Sequence, residues 1–141
     1  MIVHKTVTVS RPPDVAFKIF VEEINQWWPL ADYSFLGPDA TIVMETRKGG
    51  RFYQTTPDGN EYEIGEVLHY EPGVRLTYTW TGNAGTTEVD IRFTADGNGT
   101  RIDVAHSGWE KLADGETHAA NYTTGWDGVL GAFVRYADEA R

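Results

Sequence analysis

The stretch HAANYTTGWDGVLGAFVRYA, residues 118–137, decides the fold. At 3.6 residues per turn, its apolar residues fall on one face of a helix, at the spacings i, i+3, i+4 and i+7. That face consists of Ala119, Tyr122, Trp126, Val129, Leu130, Phe133 and Ala137, and the other side carries Asp127, Arg135 and Asp138. The pattern predicts one long amphipathic helix from His118 to Ala137. Its aromatic stripe needs an apolar surface to pack against.

The chain before this helix predicts strands and two short helices. Residues 2–9 alternate, and one face carries the mostly apolar set Val3, Lys5, Val7 and Val9. A short helix is predicted after Pro12 and Pro13, because a proline fits the first helical turn. Residues 22–28 predict a second short helix, which Pro29 ends.

Six more strands are predicted, over residues 41–46, 51–55, 61–70, 74–81, 87–94 and 100–107. The turns between them are short and contain glycine, proline, asparagine and aspartate, which predicts an antiparallel meander. The order β-α-α-β6-α indicates an α+β fold, with the long helix laid across an antiparallel sheet. No linker divides the chain, so we expect one domain over residues 1–141.

One strand contains a glycine whose role the sequence leaves open. Gly65 interrupts the strand 61–70 and indicates either a bulge or the close approach of another backbone. A bulge reverses the alternation of side chains. The sequence therefore does not say which of Glu63, Glu66 and His69 points inward.

The loop over residues 30–40 is unusually apolar, with Tyr33, Phe35 and Leu36. It either caps the end of the core or forms a lid over a cavity. The predicted long helix also carries three glycines that weaken it by about 1 kcal/mol each relative to alanine. Close packing against the two short helices explains them, and so does a mobile helix that gates a cavity; these glycines are Gly125, Gly128 and Gly131.

Composition excludes several classes of function. The net charge of −9 disfavours nucleic acids and anionic membranes as partners, since both need a basic surface. The absence of cysteine excludes disulfides, thiol catalysis and zinc-thiolate sites. No signal peptide and no apolar run of about 20 residues is present, so we expect a cytoplasmic protein.

Motifs for catalysis or cofactor binding are weak. The turn from Gly82 to Gly85 lacks the lysine of a phosphate-binding loop, and no two of the four histidines have the spacing of metal ligands. His106 and Ser107 are neighbours on a strand and point to opposite faces, which argues against a catalytic dyad. His106 lies on the apolar face, where it is either a general acid or base or a buried histidine held by a hydrogen bond. We expect no cofactor and no metal, and we assign no catalytic residue.

Large aromatic residues are the most informative set. The strand 74–81 places Val74, Leu76, Tyr78 and Trp80 on one face, and we expect Trp80 and Trp126 to face each other between sheet and helix. Rings with polar tips suit a pocket for an aromatic ligand, although a packed core of large residues explains the same pattern. The predicted ligand-binding residues are Trp28, Tyr62, Trp80, His106, Tyr122 and Trp126.

The whole chain resembles a known superfamily. The residues that carry the resemblance are Arg11-Pro12-Pro13-Asp14-Val15-Ala16-Phe17, Gly49-Gly50-Arg51-Phe52, Gly65-Glu66-Val67-Leu68 followed by Pro72, Arg75-Leu76, Thr79-Trp80, Thr100-Arg101, His106-Ser107-Gly108-Trp109 and Gly125-Trp126. They are similar to the START/SRPBCC superfamily with its helix-grip fold, which includes the birch pollen allergen. More narrowly, they resemble the group named for homologues of the C-terminal domain of the heat-shock-protein-90 ATPase activator.

The resemblance implies a curved antiparallel sheet wrapped around the long C-terminal helix, with a cavity between them. Across the superfamily this cavity holds lipids, sterols, polyketides or hormones, and this group has no shared catalytic motif. We therefore expect binding of a small apolar or aromatic molecule. The alternatives are a module that contacts a chaperone and a polyketide cyclase-like enzyme that uses His106. A homodimer also stays open.

Overall fold

The computed structural model describes residues 1–139, and its elements follow the predicted order. The strands are β1 Val3–Val9, β2 Thr41–Met44, β3 Arg51–Thr55, β4 Glu61–Glu71, β5 Arg75–Gly82, β6 Gly85–Asp96 and β7 Gly99–Ser107. The helices are α1 Pro13–Glu22, α2 Ile24–Trp27 and α3 Gly115–Glu139, and a short 3-10 turn spans Trp109–Lys111. Among these described residues, none of the helices combines the length and apolar character needed to cross a membrane.

All seven strands form one antiparallel sheet in the order β1-β7-β6-β5-β4-β3-β2. Strands β2 to β7 make the predicted meander, and β1 joins it by pairing with β7, with Val7 opposite Ile102. The sheet curls around α3, which confirms the α+β helix-grip architecture expected from the sequence. Both short helices lie between β1 and the meander in the chain and pack at one end of the core.

Helix α3 packs on the sheet through the predicted stripe. Six of its seven residues are buried and Tyr122 is half-buried; the buried six are Ala119, Trp126, Val129, Leu130, Phe133 and Ala137. The ring of Phe133 lies 5.1 Å from that of Phe20 in α1 and 5.0 Å from that of Trp27 in α2. Burial of each such side chain stabilises the fold by about 1.5–3 kcal/mol. This stripe therefore joins the three helices and the sheet in one core.

The start of α3 differs from the prediction by three residues. The helix begins at Gly115 rather than His118, directly after Asp114, whose φ is 57°. A Cβ at position 115 would overlap the carbonyl oxygen of Trp109. Only glycine fits so close to another backbone. A contact with a residue shortly before the helix fixes this boundary, and helical periodicity does not register it.

Both explanations considered for Gly65 hold. Phe52 pairs with Gly65 but Tyr53 pairs with Glu63, so Ile64 is the extra residue of a bulge. A Cβ on Gly65 would also overlap the carbonyl oxygen of Thr79 on β5. The bulge sends two consecutive residues, Ile64 and Gly65, toward the core. On either side of them, Glu63 and Glu66 are exposed, and His69 is partly exposed and contacts Glu71.

The inward face predicted for the strand 74–81 is correct for Leu76, Tyr78 and Trp80 but wrong for Val74. Val74 is 48% exposed, because the chain turns there through a hydrogen bond from its amide to the carbonyl of Glu71. The strand begins only at Arg75. The turn therefore takes the residue that simple alternation assigns to the core.

Candidate functional site

A cavity of about 290 Å³ lies between the sheet and α3. Its walls come from α3, from β5 and β7, and from the loop between α2 and β2, which we call the mouth loop (residues 28–40). The lining residues are Trp28, Asp32, Tyr33, Ser34, Phe35, Trp80, His106, Asn121, Tyr122, Gly125, Trp126 and Val129. Most of this surface is apolar and aromatic, and the exposed residues Asp32 and Asn121 place its mouth at the solvent.

Five of the six residues predicted to bind a ligand line this cavity, namely Trp28, Trp80, His106, Tyr122 and Trp126. The sixth, Tyr62, lies behind the wall. Its ring stacks on that of Phe35 at 4.2 Å with an angle of 12° between the planes. Its hydroxyl donates to the carbonyl of Thr81 at 2.6 Å. Tyr62 therefore supports the cavity wall, because a ring from the mouth loop stands between it and the cavity.

Gln54 on β3 holds the mouth loop, and the sequence analysis did not identify it. Its side-chain oxygen accepts from the amides of Phe35 at 3.0 Å and Leu36 at 3.1 Å, and from the hydroxyl of Ser34 at 3.2 Å. Gln54 is only 1% exposed, so these bonds satisfy a polar group that would otherwise be costly to bury. The sequence signal that could have identified Gln54 is its position two residues after Phe52, which places a polar side chain on the inward face of the strand.

The mouth loop rests on α3 through Tyr33. A Cβ added at Gly128 would lie 2.5 Å from the hydroxyl of Tyr33, and one at Gly125 would lie 3.7 Å from its ring. The carbonyl of Tyr33 accepts from the indole of Trp28 at 2.7 Å. Gly125 and Gly128 therefore make room for the mouth loop and not for the two short helices. The loop both caps the core and covers one side of the cavity.

His106 is buried and fully hydrogen-bonded. Its Nδ1 accepts from the indole of Trp126 at 3.0 Å, so Nδ1 is unprotonated and the proton resides on Nε2. Nε2–H then donates to the Thr87 hydroxyl at 2.7 Å, and that hydroxyl donates to the carbonyl of Trp80 at 3.3 Å. Burial lowers the pKa of His106 to about 3.

This arrangement fixes a neutral tautomer of His106 and leaves neither ring nitrogen free for a substrate. A general acid or base near neutral pH needs a pKa near that pH and a nitrogen within reach of the reacting atom. His106 has neither property. Its role is to join β7 to Trp126 of α3 and to Thr87 of β6, which argues against a cyclase-like mechanism based on this residue.

Trp80 and Trp126 have separate hydrogen-bond partners. Trp80 and Trp126 line the same cavity, but the indole of Trp80 donates to the hydroxyl of Tyr122 at 2.7 Å, while Trp126 bonds to His106. Tyr122 lies one helical turn before Trp126 on α3. Burial raises the pKa of Tyr122, so its hydroxyl stays protonated.

A second pocket of about 170 Å³ lies beside the cavity, and we call it the side pocket. It is lined by Phe35, Trp80, Gly82, Asn83, Ala84, Gly85, Thr87, Trp109, Leu112, His118 and Tyr122. Phe35, Trp80 and Tyr122 line both spaces and so form the wall between them. Within residues 1–139, no group of three or more histidine or acidic side chains is placed to hold a metal ion.

The model of the family described as "Activator of Hsp90 ATPase homolog 1-like protein" matches residues 10–138. The chain belongs to this family. The match confirms the resemblance to the heat-shock-protein-90 ATPase activator group and includes every residue that lines the cavity and the side pocket. No curated protein sequence matches the chain.

Solved structures share the fold of this chain at low sequence identity. Protein MLL2253 from Mesorhizobium loti is 19% identical with a TM-score of 0.75, over 100% of this chain and 99% of that one. The Aha1 dimer from Colwellia psychrerythraea is 16% identical with a TM-score of 0.73, over 100% and 98%. DynU16, from the dynemicin biosynthetic locus, is 22% identical with a TM-score of 0.74, over 99% of this chain but 48% of that one. These similarities establish the helix-grip fold.

Proposed function

We propose that this chain binds a small apolar or aromatic molecule in the cavity between the sheet and α3. The cavity itself carries the proposal. Sites for small molecules are concave and mostly apolar, occupy about 300–1,000 Å³, and contain a few polar groups that orient the ligand. A volume of about 290 Å³ lined by aromatic rings lies just below the lower limit of that range.

A packed core does not account for this space. Protein interiors are close-packed and contain few voids larger than one water molecule. The polar atoms of the lining are also largely satisfied within the protein, since Trp28 bonds to Tyr33, Trp80 to Tyr122 and Trp126 to His106. The walls therefore present mainly ring faces, which suit an apolar ligand better than a cluster of waters.

Two glycines of α3 offer a matched test. Gly125 lines the cavity, whereas Gly131 does not and has only Arg135 near its Cβ position, at 3.5 Å. As a probe ligand we use 2-acetylnaphthalene, an uncharged aromatic ketone. Gly125→Leu fills the cavity and should reduce the affinity for this probe at least tenfold. Gly131→Leu makes the same change in helix propensity and should leave the affinity within twofold.

Binding can be followed by NMR through the indole N–H signals of tryptophan. The signals of Trp28, Trp80 and Trp126 should shift on titration. That of Trp27, which bonds to the carbonyl of Phe20 away from the cavity, should not. Absence of binding to the unmodified protein at millimolar probe, or equal loss of affinity in both glycine variants, would count against the proposal.

A second candidate function is contact with a chaperone, and family membership favours it. The family description names an activator of the Hsp90 ATPase, and the Colwellia neighbour is itself called Aha1. The assay is the ATPase rate of Hsp90 with and without this protein. A cavity-independent contact should survive Gly125→Leu, and an unchanged ATPase rate with the unmodified protein would remove this function.

Self-association is a related proposal, since the Colwellia protein was solved as a dimer. Sedimentation equilibrium between micromolar and millimolar concentrations should give a mass near twice the 15.8 kDa of one chain if the pairing is shared. A constant mass of one chain over that range would contradict it.

A further inference from the structure

We infer that the ligand is a flat aromatic molecule that carries no negative charge and presents a hydrogen-bond acceptor, such as a carbonyl oxygen, to the hydroxyl of Tyr122. This inference rests on the proposed binding function and narrows its ligand class. It follows from the charges around the cavity and from the half-buried hydroxyl of Tyr122, a donor there that has no acceptor within residues 1–139.

The charges disfavour an anion. Within the described part of the chain, Asp32 is the only acidic or basic residue, histidine aside, that lines the cavity, and it stands at the mouth. Arginine side chains on the outer face of the sheet already pair with acids: Arg51 with Glu61 at 2.8 Å, and Arg75 with Asp90 at 2.8 Å. A carboxylate that entered the cavity would lose its hydration without gaining a cation. The net charge of −9 adds an unfavourable field at longer range.

The hydroxyl of Tyr122 is the group that would orient the ligand. Its oxygen accepts a hydrogen bond from the indole of Trp80 at 2.7 Å, but among residues 1–139 the hydroxyl donates to no acceptor. By contrast, the other side-chain donors deep in the cavity, on Trp28 and Trp126, are engaged, as are both nitrogens of His106. Among the described lining residues that are not exposed, Tyr122 is therefore the one whose side-chain donor gains a bond when an acceptor arrives.

The position of this hydroxyl suits the end of a ligand. Tyr122 lines both the cavity and the side pocket, and its oxygen lies 3.4 Å from the position of a Cβ on Gly82, which lines only the side pocket. A ring between Trp80 and Trp126 would place a substituent at the wall shared by the two spaces. The acceptor then meets the hydroxyl, and the flat ring lies against aromatic walls that favour stacked or edge-on contacts.

Three probes with the same ring system test the inference: 2-acetylnaphthalene, 2-ethylnaphthalene and 2-naphthoate. The ketone should bind about fivefold more tightly than the ethyl compound, the gain expected from one net hydrogen bond. It should bind at least tenfold more tightly than the carboxylate at pH 7. The indole N–H shift of Trp126, which lines the cavity and is kept in every variant, follows all three titrations.

A pair of variants isolates the hydroxyl. Tyr122→Phe alone would free the indole N–H of Trp80, which could then donate to the ligand in its place. We therefore compare Trp80→Phe with Trp80→Phe/Tyr122→Phe, which differ only in the oxygen of Tyr122. The preference for the ketone over the ethyl compound should persist in the first and disappear in the second, with thermal unfolding confirming that both are folded.

The outcomes separate the inference from the function on which it rests. If none of the three probes binds, the proposed ligand-binding function fails together with the inference. If the probes bind with equal affinity, or the carboxylate binds most tightly, the cavity is a binding site but the ligand class is wrong. If the ketone preference survives loss of the hydroxyl, Tyr122 is not the donor.

Discussion

Removal of one oxygen atom from the core should stabilise this protein. Tyr78 on β5 is fully buried, and within the described residues its hydroxyl has no hydrogen-bond partner. Burial raises the pKa of Tyr78, so the group is an uncharged phenol without a partner. Leaving a buried polar group unsatisfied costs about 1–3 kcal/mol. Tyr78→Phe removes that cost and keeps the ring, whose contact with Phe52 at 5.1 Å is edge-on.

The gain can be bounded from the volume removed. Loss of the oxygen leaves a void of about 10 Å³, which at about 24 cal/mol per Å³ costs only about 0.2 kcal/mol. The net expectation is an increase of about 1–3 kcal/mol in the free energy of unfolding. Urea denaturation followed by tryptophan fluorescence measures it, and the slope of free energy against urea should not change because the surface exposed on unfolding is the same.

Tyr62 provides the opposite control. Its hydroxyl donates to the carbonyl of Thr81 at 2.6 Å, so Tyr62→Phe should lower the free energy of unfolding by about 0.5–1.5 kcal/mol. The two substitutions are chemically identical and differ only in whether the oxygen has a partner. If Tyr78→Phe also destabilises the protein by 1 kcal/mol or more, the hydroxyl is hydrogen-bonded, for example to a trapped water, and the reasoning is refuted.

Three further predictions follow from single residues. Burial lowers the folded-state pKa of His106 to about 3, while the unfolded value is near 6.5, so between these two pH values the unfolded chain binds a proton that the native protein does not. The free energy of unfolding should therefore fall by about 1.4 kcal/mol per pH unit as the pH drops from about 6.5 toward 3. Urea titrations at several pH values should show this contribution disappear in His106→Gln. Gly65→Ala forces a methyl group into the carbonyl of Thr79 and should cost about 3 kcal/mol or abolish folding, whereas a thermal midpoint within 2 °C, corresponding to roughly 0.5 kcal/mol, would contradict the close approach. Gly128→Ala should displace the ring of Tyr33 and accelerate amide hydrogen exchange at residues 32–36 about tenfold; unchanged exchange would show that Tyr33 does not hold the loop.

The helix and the sheet were predictable because their signals are local. The stripe of α3 repeats with the helical period, and glycine and proline mark most of the turns between strands. Errors arose where backbone contacts a few residues away override the periodic pattern. Gly115 starts α3 against the carbonyl of Trp109, and the turn at Val74 removes a residue that alternation assigned to the core.

The site was predictable only as a set of inward-facing aromatic residues. Periodicity identifies which rings point inward, but it does not say which ring stands in front of another. Tyr62 packs against the mouth loop, but the ring of Phe35 lies between Tyr62 and the cavity. Likewise, periodicity indicates that Trp80 and Trp126 point into the space between sheet and helix, but it does not predict that the indole of Trp80 donates to Tyr122. The volume left between the two layers is not encoded in any local pattern.

Gln54 has a consequence for how this fold can change its ligand. One amide oxygen on the sheet fixes the backbone at residues 34–36, and it does so largely through main-chain amides whose bonds do not depend on the side chains there. The side chain of Phe35 is thus carried on a backbone path that its own identity does not determine, whereas Tyr33 also holds the loop against α3. The residue at position 35 can therefore be varied while the attachment of the mouth loop to the sheet stays intact. Redesign of ligand preference should begin at Phe35 and leave Gln54 and Tyr33 unaltered.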